Sequence, residues 1–308
     1  MEGSRDYRQA VQTRLIATIA DSYYTLAMFD AQLEINGRTL ENWRNTVKTL
    51  EALKRVGKSN EAGVLQAKSS VMELEASRLA ILKSISETEN DLSSVLAMPS
   101  QTIRRGILED AYFPDTISIG VPLQLLSNRP DVRNAEMNLA QAFYATNVAR
   151  SVFYPNITLS GTLGWTNNGG GIVTNPGQWL LNAIGSLTQP LFNRGANIAN
   201  LKIAKAQQQE ARLLFQQSLL DAGKEVNDAL TEWQTAKSQI DISERQVETL
   251  NEAVRKTRLL MRYSGTTYLE VLTAQQTLLD AEMTLVQRRF DRIQAVINLY
   301  HALGGGTD

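Results

Sequence analysis

The chain has 308 residues, 43% of them hydrophobic, 20% charged and 6% aromatic. Its 31 basic and 32 acidic residues leave a formal net charge of −1, without the basic excess of a nucleic-acid binder. The absence of cysteine excludes disulfides, Cys-ligated zinc and thiol catalysis, and the single histidine, His301, argues against a His-based metal site.

Low aromatic and proline content with abundant Ala, Leu, Gln and Glu points to long helices. No run of about 20 apolar residues exists, so no transmembrane helix is expected. The polar start, MEGSRDYRQA, does not read as a signal peptide.

The spacing predicts a first helix over 5–54, with a seam at Ile19, Ser22, Leu26, Phe29, Leu33, Asn36, Leu40, Trp43, Val47 and Leu50. A break at 56–60 separates it from a helix over 61–97, which ends before Pro99. Residues 99–126 alternate Pro and Gly with β-branched stretches and read as a linker or small mixed layer. A helix restarts near Arg129-Pro130-Asp131, where proline suits the first turn and the acid suits the dipole.

The period then switches from 3.6 to 2. In 153–165 the odd positions are Phe153, Pro155, Ile157, Leu159, Gly161, Leu163 and Trp165, with Thr158, Ser160 and Thr162 between them. After a Gly/Asn-rich loop, 178–192 place Trp179, Leu181, Ala183 and Leu187 on one face and Asn182, Ser186 and Thr188 on the other, with Ile184 as an exception. Such strands either close into a membrane barrel or pack their apolar face on helices. Pattern alone leaves both open.

From 196 to 261 a single helix is expected, with a heptad seam through Phe215, Leu219, Ala222, Val226, Ala229, Trp233, Ala236, Ile240, Ser243, Val247, Leu250, Val254, Thr257 and Met261. A turn at Tyr263-Ser264-Gly265 leads to a last helix through Leu269, Leu272, Gln276, Leu279, Met283, Val286, Phe290, Ile293, Ile297 and Tyr300, which stops at Gly304. Asn36, Gln276 and Ser243 read as polar seam positions that set register.

Sliding the chain on itself by 207 residues brings Val271-Leu272 onto Val64-Leu65 and Leu303 onto Leu96. A long helix, a turn and a shorter helix occur twice. Only the second copy has a helix and hairpin before it, so repeat logic expects an upstream helix and hairpin of a longer protein. No catalytic set, cofactor loop or metal cluster stands out. His301 reads as a helix C-terminal residue, Gly169–Gly171 as a surface loop, and Tyr23, Tyr24 and Trp43 as packing residues.

Gly120-Val121-Pro122, Leu125-Leu126, Arg129-Pro130-Asp131-Val132-Arg133 and Ala135-Glu136 resemble the hallmark stretch of the TolC-like outer-membrane efflux proteins. Phe153-Tyr154-Pro155-Asn156-Ile157, 189–195, 225–230, Arg262-Tyr263-Ser264-Gly265, 268–272 and 299–305 continue the likeness in order. It is closest to the lipoprotein subgroup serving resistance-nodulation-division (RND) pumps. The family's signal, lipid-bearing cysteine, first helix and first hairpin have no counterpart here.

The resemblance implies a mainly α fold with a β-hairpin, in which long antiparallel helical hairpins form a trimeric α-barrel and the strands join a transmembrane β-barrel. It divides the chain into a first helical hairpin (1–98), an equatorial linker (99–128), a helix (129–152), a transmembrane β-hairpin (153–192), a second helical hairpin (193–303) and a tail (304–308). It implies a homotrimer that acts as a non-enzymatic, passive, gated exit duct across periplasm and outer membrane, needing no cofactor. Its partners would be a periplasmic adaptor, an inner-membrane RND-type pump and outer-membrane lipid, and not nucleic acid. Lys58, Glu61, Arg262, Tyr263, Thr267 and Glu270 are the expected tip and gate residues. Thr158, Ser160, Thr162, Ser186 and Thr188 would line the barrel lumen, and Trp165 and Trp179 would sit at the membrane interface. The alternative, a non-catalytic coiled-coil scaffold or adhesin stalk, predicts no membrane insertion.

Overall fold

A computed structural model describes residues 2–57, 59–108, 129–166, 178–188, 195–263 and 268–305. In chain order these form α1 (Glu2–Arg55), α2 (Glu61–Val95), α3 (Pro130–Ser151), β1 (Asn156–Thr166), β2 (Gln178–Thr188), α4 (Ala196–Tyr263) and α5 (Tyr268–Ala302). Two compact units result. One holds Met1–Asp131 with Leu220–Asp308, and the other holds Val132–Leu219. Among the described residues, no helix is long and apolar enough to cross a membrane.

The repeat is visible in the helix limits. Both α2 and α5 have 35 residues. Tyr268 follows Glu61 by 207 positions, and Ala302 follows Val95 by the same 207. Their ends match bond for bond. After α2, Met98 N donates to Ser93 O (2.9 Å) and Ala97 N to Ser94 O (3.0 Å). After α5, Gly305 N donates to Tyr300 O (3.0 Å) and Gly304 N to His301 O (3.0 Å). Each is a Schellman turn, which needs a left-handed residue just past the helix. Gly304 supplies it at φ 69°, and Ala97 occupies the equivalent place at φ 54°.

That turn also explains why α2 stops at Val95 rather than at the expected 97. An L-residue in the left-handed region costs about 1–2 kcal/mol, of which glycine's extra entropy gives part back. Ala97→Gly is therefore expected to raise stability by about 0.5–1 kcal/mol, read as a higher urea midpoint with an unchanged slope.

Helix α1 is the spine of its unit. One cluster joins Leu40, Trp43 and Leu50 to Val64, Ala67 and Leu74 of α2 and to Leu272 and Leu279 of α5. A second joins Ala27 and Met28 to Val286, Phe290, Ile293 and Ile297 of α5, with Leu108. A third sets Leu26 against Ile85 and Leu92 of α2. The ion pairs Arg44–Glu75 (2.7 Å) and Glu51–Lys68 (2.8 Å) run in opposite chain order, as an antiparallel hairpin requires. Segment 103–108 is clasped by Arg105, which donates to Asp30 Oδ1 (2.8 Å), Glu89 Oε1 (2.6 Å) and Ile103 O (3.0 Å). The two carboxylates raise the Arg105 pKa further above the ordinary range.

The expected seam of α4 is the buried one. Ala222, Val226, Ala229, Trp233, Ala236, Ile240, Ser243 and Val254 are all buried. Asn36 is fully buried and donates to Leu74 O (3.2 Å). The expectation for Gln276 needs correction. Gln276 is exposed, and its neighbour Gln275 is buried beside Thr46. From Leu272 the buried face steps by three to Gln275 and then by four to Leu279, where the expected seam took the four first.

Asp21 of α1 accepts a hydrogen bond from Gln294 Nε2 (2.9 Å). Burial pushes its pKa up, partly offset by that bond. The folded state thus holds the Asp21 proton more tightly than the unfolded chain does. Its ionisation costs stability as pH rises through the interval between the unfolded and the raised folded pKa, and the cost is absent below that interval. Asp21→Asn is expected to gain stability relative to the parent at neutral pH, and the gain should vanish in acid. Paired denaturation curves across that range check it.

In the second unit, Thr146 of α3 donates to Ala204 O of α4 (3.1 Å). Strands β1 and β2 pair antiparallel from Asn156↔Thr188 to Thr166↔Gln178. The first is shorter than the expected run of 153–165, and the second covers 178–188 of the expected run of 178–192. Residues Val152–Tyr154 turn instead, with Phe153 N donating to Arg150 O (3.1 Å) and Tyr154 N to Ser151 O (3.0 Å). Pro155 has no N–H to give a ladder, so β1 starts after it. Residues 189–192 lie outside the described residues.

Candidate functional site

Two places carry the residues expected to act, the hairpin faces and the helix tips, and each lies within one unit. In the hairpin the register keeps the alternation across both strands. Ile157 faces Leu187, Leu163 faces Leu181 and Trp165 faces Trp179. In the intervening rows Asn156 faces Thr188, Thr158 faces Ser186 and Thr162 faces Asn182. Ile184 interrupts this second set opposite Ser160. Each strand has 11 residues, within reach of the 9–11 that cross a bilayer when tilted.

Ile157 is 77% exposed, Leu159 80% and Leu187 69%. These three described apolar side chains of the row are therefore open rather than packed. Of the expected lumen residues, Thr158, Ser160, Ser186 and Thr188 are exposed as well. A ribbon left open on both faces has no core of its own. The side chains of Thr162, Trp165 and Trp179 lie outside the described residues, although their backbone pairs in the ladder.

At the tip, α1 turns into α2 through Gly57, whose φ of 71° suits glycine and whose N donates to Lys54 O (3.0 Å). Asn60 caps α2 by accepting from Gly63 N (2.9 Å), and Glu61 adds an acid to the first turn. Glu61 also pairs with Lys54 across the turn. Gly63 has a packing reason. A Cβ there would lie 2.6 Å from the Tyr268 ring, so the start of α5 rests directly on the α2 backbone. Nothing in the sequence marks this contact, because Gly63 and Tyr268 are distant in the chain.

Glu270, in the first turn of α5, is exposed. Lys58 and Thr267 lie outside the described residues, as do the side chains of Arg262 and Tyr263. Acids near the tip are held ionised. Arg255 draws Glu252 down to about 2, and Lys68 draws Glu51 below its ordinary value. The structure therefore brings Lys54, Glu61, Gly63 and Tyr268 together, and of these only Glu61 was expected.

Arg129, at the head of α3, is almost wholly buried. It donates to Asp131 through Nε (3.0 Å) and Nη2 (2.7 Å), and through Nη1 to Ala302 O (2.8 Å) at the end of α5 and to Glu225 (2.7 Å). Gly304 passes within reach of it, since a Cβ there would lie 3.1 Å from Arg129 Cα. The Arg-Pro-Asp stretch thus staples the C-terminal turn of α5. Thr13 and Gln9 of α1 complete the clasp by donating to Gly305 O and Gly304 O. Among the described residues, no cluster suited to a metal ion occurs.

The family model of the outer membrane efflux protein matches residues 121–305. The cation efflux system protein CusC of Escherichia coli O6:H1 is 31% identical over 98% of this chain and 66% of its own length. The solvent efflux pump outer membrane protein SrpC of Pseudomonas putida is 27% identical over 98% of this chain and 65% of its own. The chain thus spans just under two thirds of the length of these relatives. A crystal structure of CusC superposes with a TM-score of 0.88 at 29% identity, covering 99% of this chain and 71% of that one. With the matched residues including the Arg129 staple and the β-hairpin, the chain belongs to the outer membrane efflux protein family.

Proposed function

We propose that this chain forms part of a passive exit duct in the outer membrane, serving a tripartite efflux system as a homotrimer with a periplasmic adaptor and an inner-membrane RND-type pump. The observation that carries this reading is the 11-residue hairpin, apolar on one row and polar on the next, with Ile157, Leu159 and Leu187 exposed. Closure into a barrel with other strands satisfies both rows at once, with Ile157, Leu159 and Leu187 toward lipid and Thr158, Ser160, Thr162, Ser186 and Thr188 toward water. Trp165 and Trp179, paired at the loop end, sit at the outer interface in this reading. The repeated helices then wall the periplasmic tunnel.

A duct of this kind needs a gate rather than a catalytic group. Lys58, Glu61, Arg262, Tyr263, Thr267 and Glu270 belong to the tip turns, and charge repeated around a trimer axis controls ion passage. Separation of the tips by adaptor and pump is a two-state change in this reading. The Lys54–Glu61 pair stabilises the first turn within one chain, and of the other tip charges, Lys58, Arg262 and Glu270, we assign the gate to Arg262 and Glu270. The names of the relatives cover cation and solvent efflux, and the proposed cargo class is small toxic compounds. Neutralising both, as Arg262→Gln with Glu270→Gln, is expected to raise single-channel conductance in planar bilayers severalfold. A conductance unchanged from the parent would contradict the gate assignment.

A further inference from the structure

A cleft of about 300 Å³ opens between α1, α4 and α5 within the helical unit. Its wall contains Arg38, Arg258 and a single acid, Glu282. Arg38 Nη2 already donates to Glu282 Oε1 (2.8 Å), so that pair is neutral. Arg258 pairs with no acid among the described residues. The cleft therefore carries one uncompensated positive charge.

The remaining polar lining points the same way. Trp43 is 2% exposed, and its indole N–H has no hydrogen-bond partner. Gln275 and Thr39 are buried, and Asn42 and Asn251 stand at the same wall. A buried donor without an acceptor is costly, and a guanidinium without a carboxylate offers a planar fork of donors. Glu282, the one acid of the wall, is already paired with Arg38, so Arg258 has no carboxylate of its own in the cleft.

We propose that this cleft is a small-oxyanion site, in which Arg258 holds a phosphate or carboxylate group that also accepts from Trp43, Gln275 and the free N–H groups of Arg38. The bound group would link α4 to α1 and α5 and favour the arrangement in which the three helices are drawn together. The site is independent of the duct reading, since none of its residues lies in the hairpin or in the tip turns.

Titration of the purified chain with inorganic phosphate, and separately with citrate, at constant ionic strength set by chloride tests it. A saturable rise in unfolding temperature with either ligand is expected, and the ligand that produces it assigns the chemistry. Arg258→Gln should weaken that binding about tenfold to a hundredfold. Arg258→Lys, which keeps the charge without the fork, should fall between. Arg255→Gln, one turn away and already paired with Glu252, should leave binding unchanged. No saturable response to either ligand overturns the proposal. Equal affinity in parent and Arg258→Gln overturns it too, as does equal weakening by Arg255→Gln.

Discussion

Trp43→Ala is expected to destabilise the helical unit by about 3–5 kcal/mol, the range for truncating a large buried aromatic side chain. Trp43 is 2% exposed and stands where three helices meet, against Leu40 and Leu50, Val64 and Ala67, and Leu272 and Leu279. Its removal leaves a void that these neighbours cannot fill without moving all three helices. Trp43→Phe keeps most of the volume and deletes the unpaired indole N–H, so its cost should be smaller, about 1–2 kcal/mol. Urea unfolding followed by helical circular dichroism compares the two. A loss under about 1 kcal/mol for the alanine variant would contradict the placement of Trp43 at the junction.

The second large effect belongs to Arg129. Its side chain is 6% exposed, whereas Asp131 and Glu225 are about half exposed. Arg129→Met removes every bond to the two carboxylates and to the Ala302 carbonyl. The carboxylates regain water and the carbonyl is left poorly satisfied, so the loss should be about 2–4 kcal/mol. Arg129→Lys keeps the charge but cannot hold Asp131 bidentately while reaching Ala302, and should recover about half of that loss. A double-mutant cycle with Glu225→Gln should return a coupling of about 0.5–3 kcal/mol. A coupling of zero would show that the staple is not formed.

Periodicity made the helices legible. The seam from Ala222 to Ser243 is buried at every position expected of it, because a sustained heptad leaves a helix only one face to bury. The 207-residue repeat was legible too, and the paired turns at Ala97 and Gly304 extend it beyond the helices. Legibility ended where residues distant in sequence meet. Arg105 bonds to Asp30 across 75 positions and Arg129 to Ala302 across 173, and no local pattern announces either contact. The contact between Gly63 and Tyr268 is of the same kind. The Gln276 expectation failed for a different reason, since steps of three and four alternate equally well in either order and the buried face takes Leu272, Gln275 and Leu279.

In the hairpin the alternation of sequence became the alternation of rows, while Pro155 trimmed β1 at its start. The Arg-Pro-Asp stretch carried the likeness to efflux proteins before its geometry was known. Its role here is structural, as the clasp on the end of α5. Of the expected gate residues, only Glu61 acquires a described partner.

The barrel claim is best tested by single cysteines, for which a cysteine-free chain gives no background. Cysteines at 157, 159 and 187 and at 158, 160 and 186 would be introduced one at a time into the protein in outer-membrane vesicles. A membrane-impermeant, water-soluble maleimide should label the second set rapidly and the first set at least tenfold more slowly. Equal labelling of both sets would contradict a lipid-facing row and, with it, the duct.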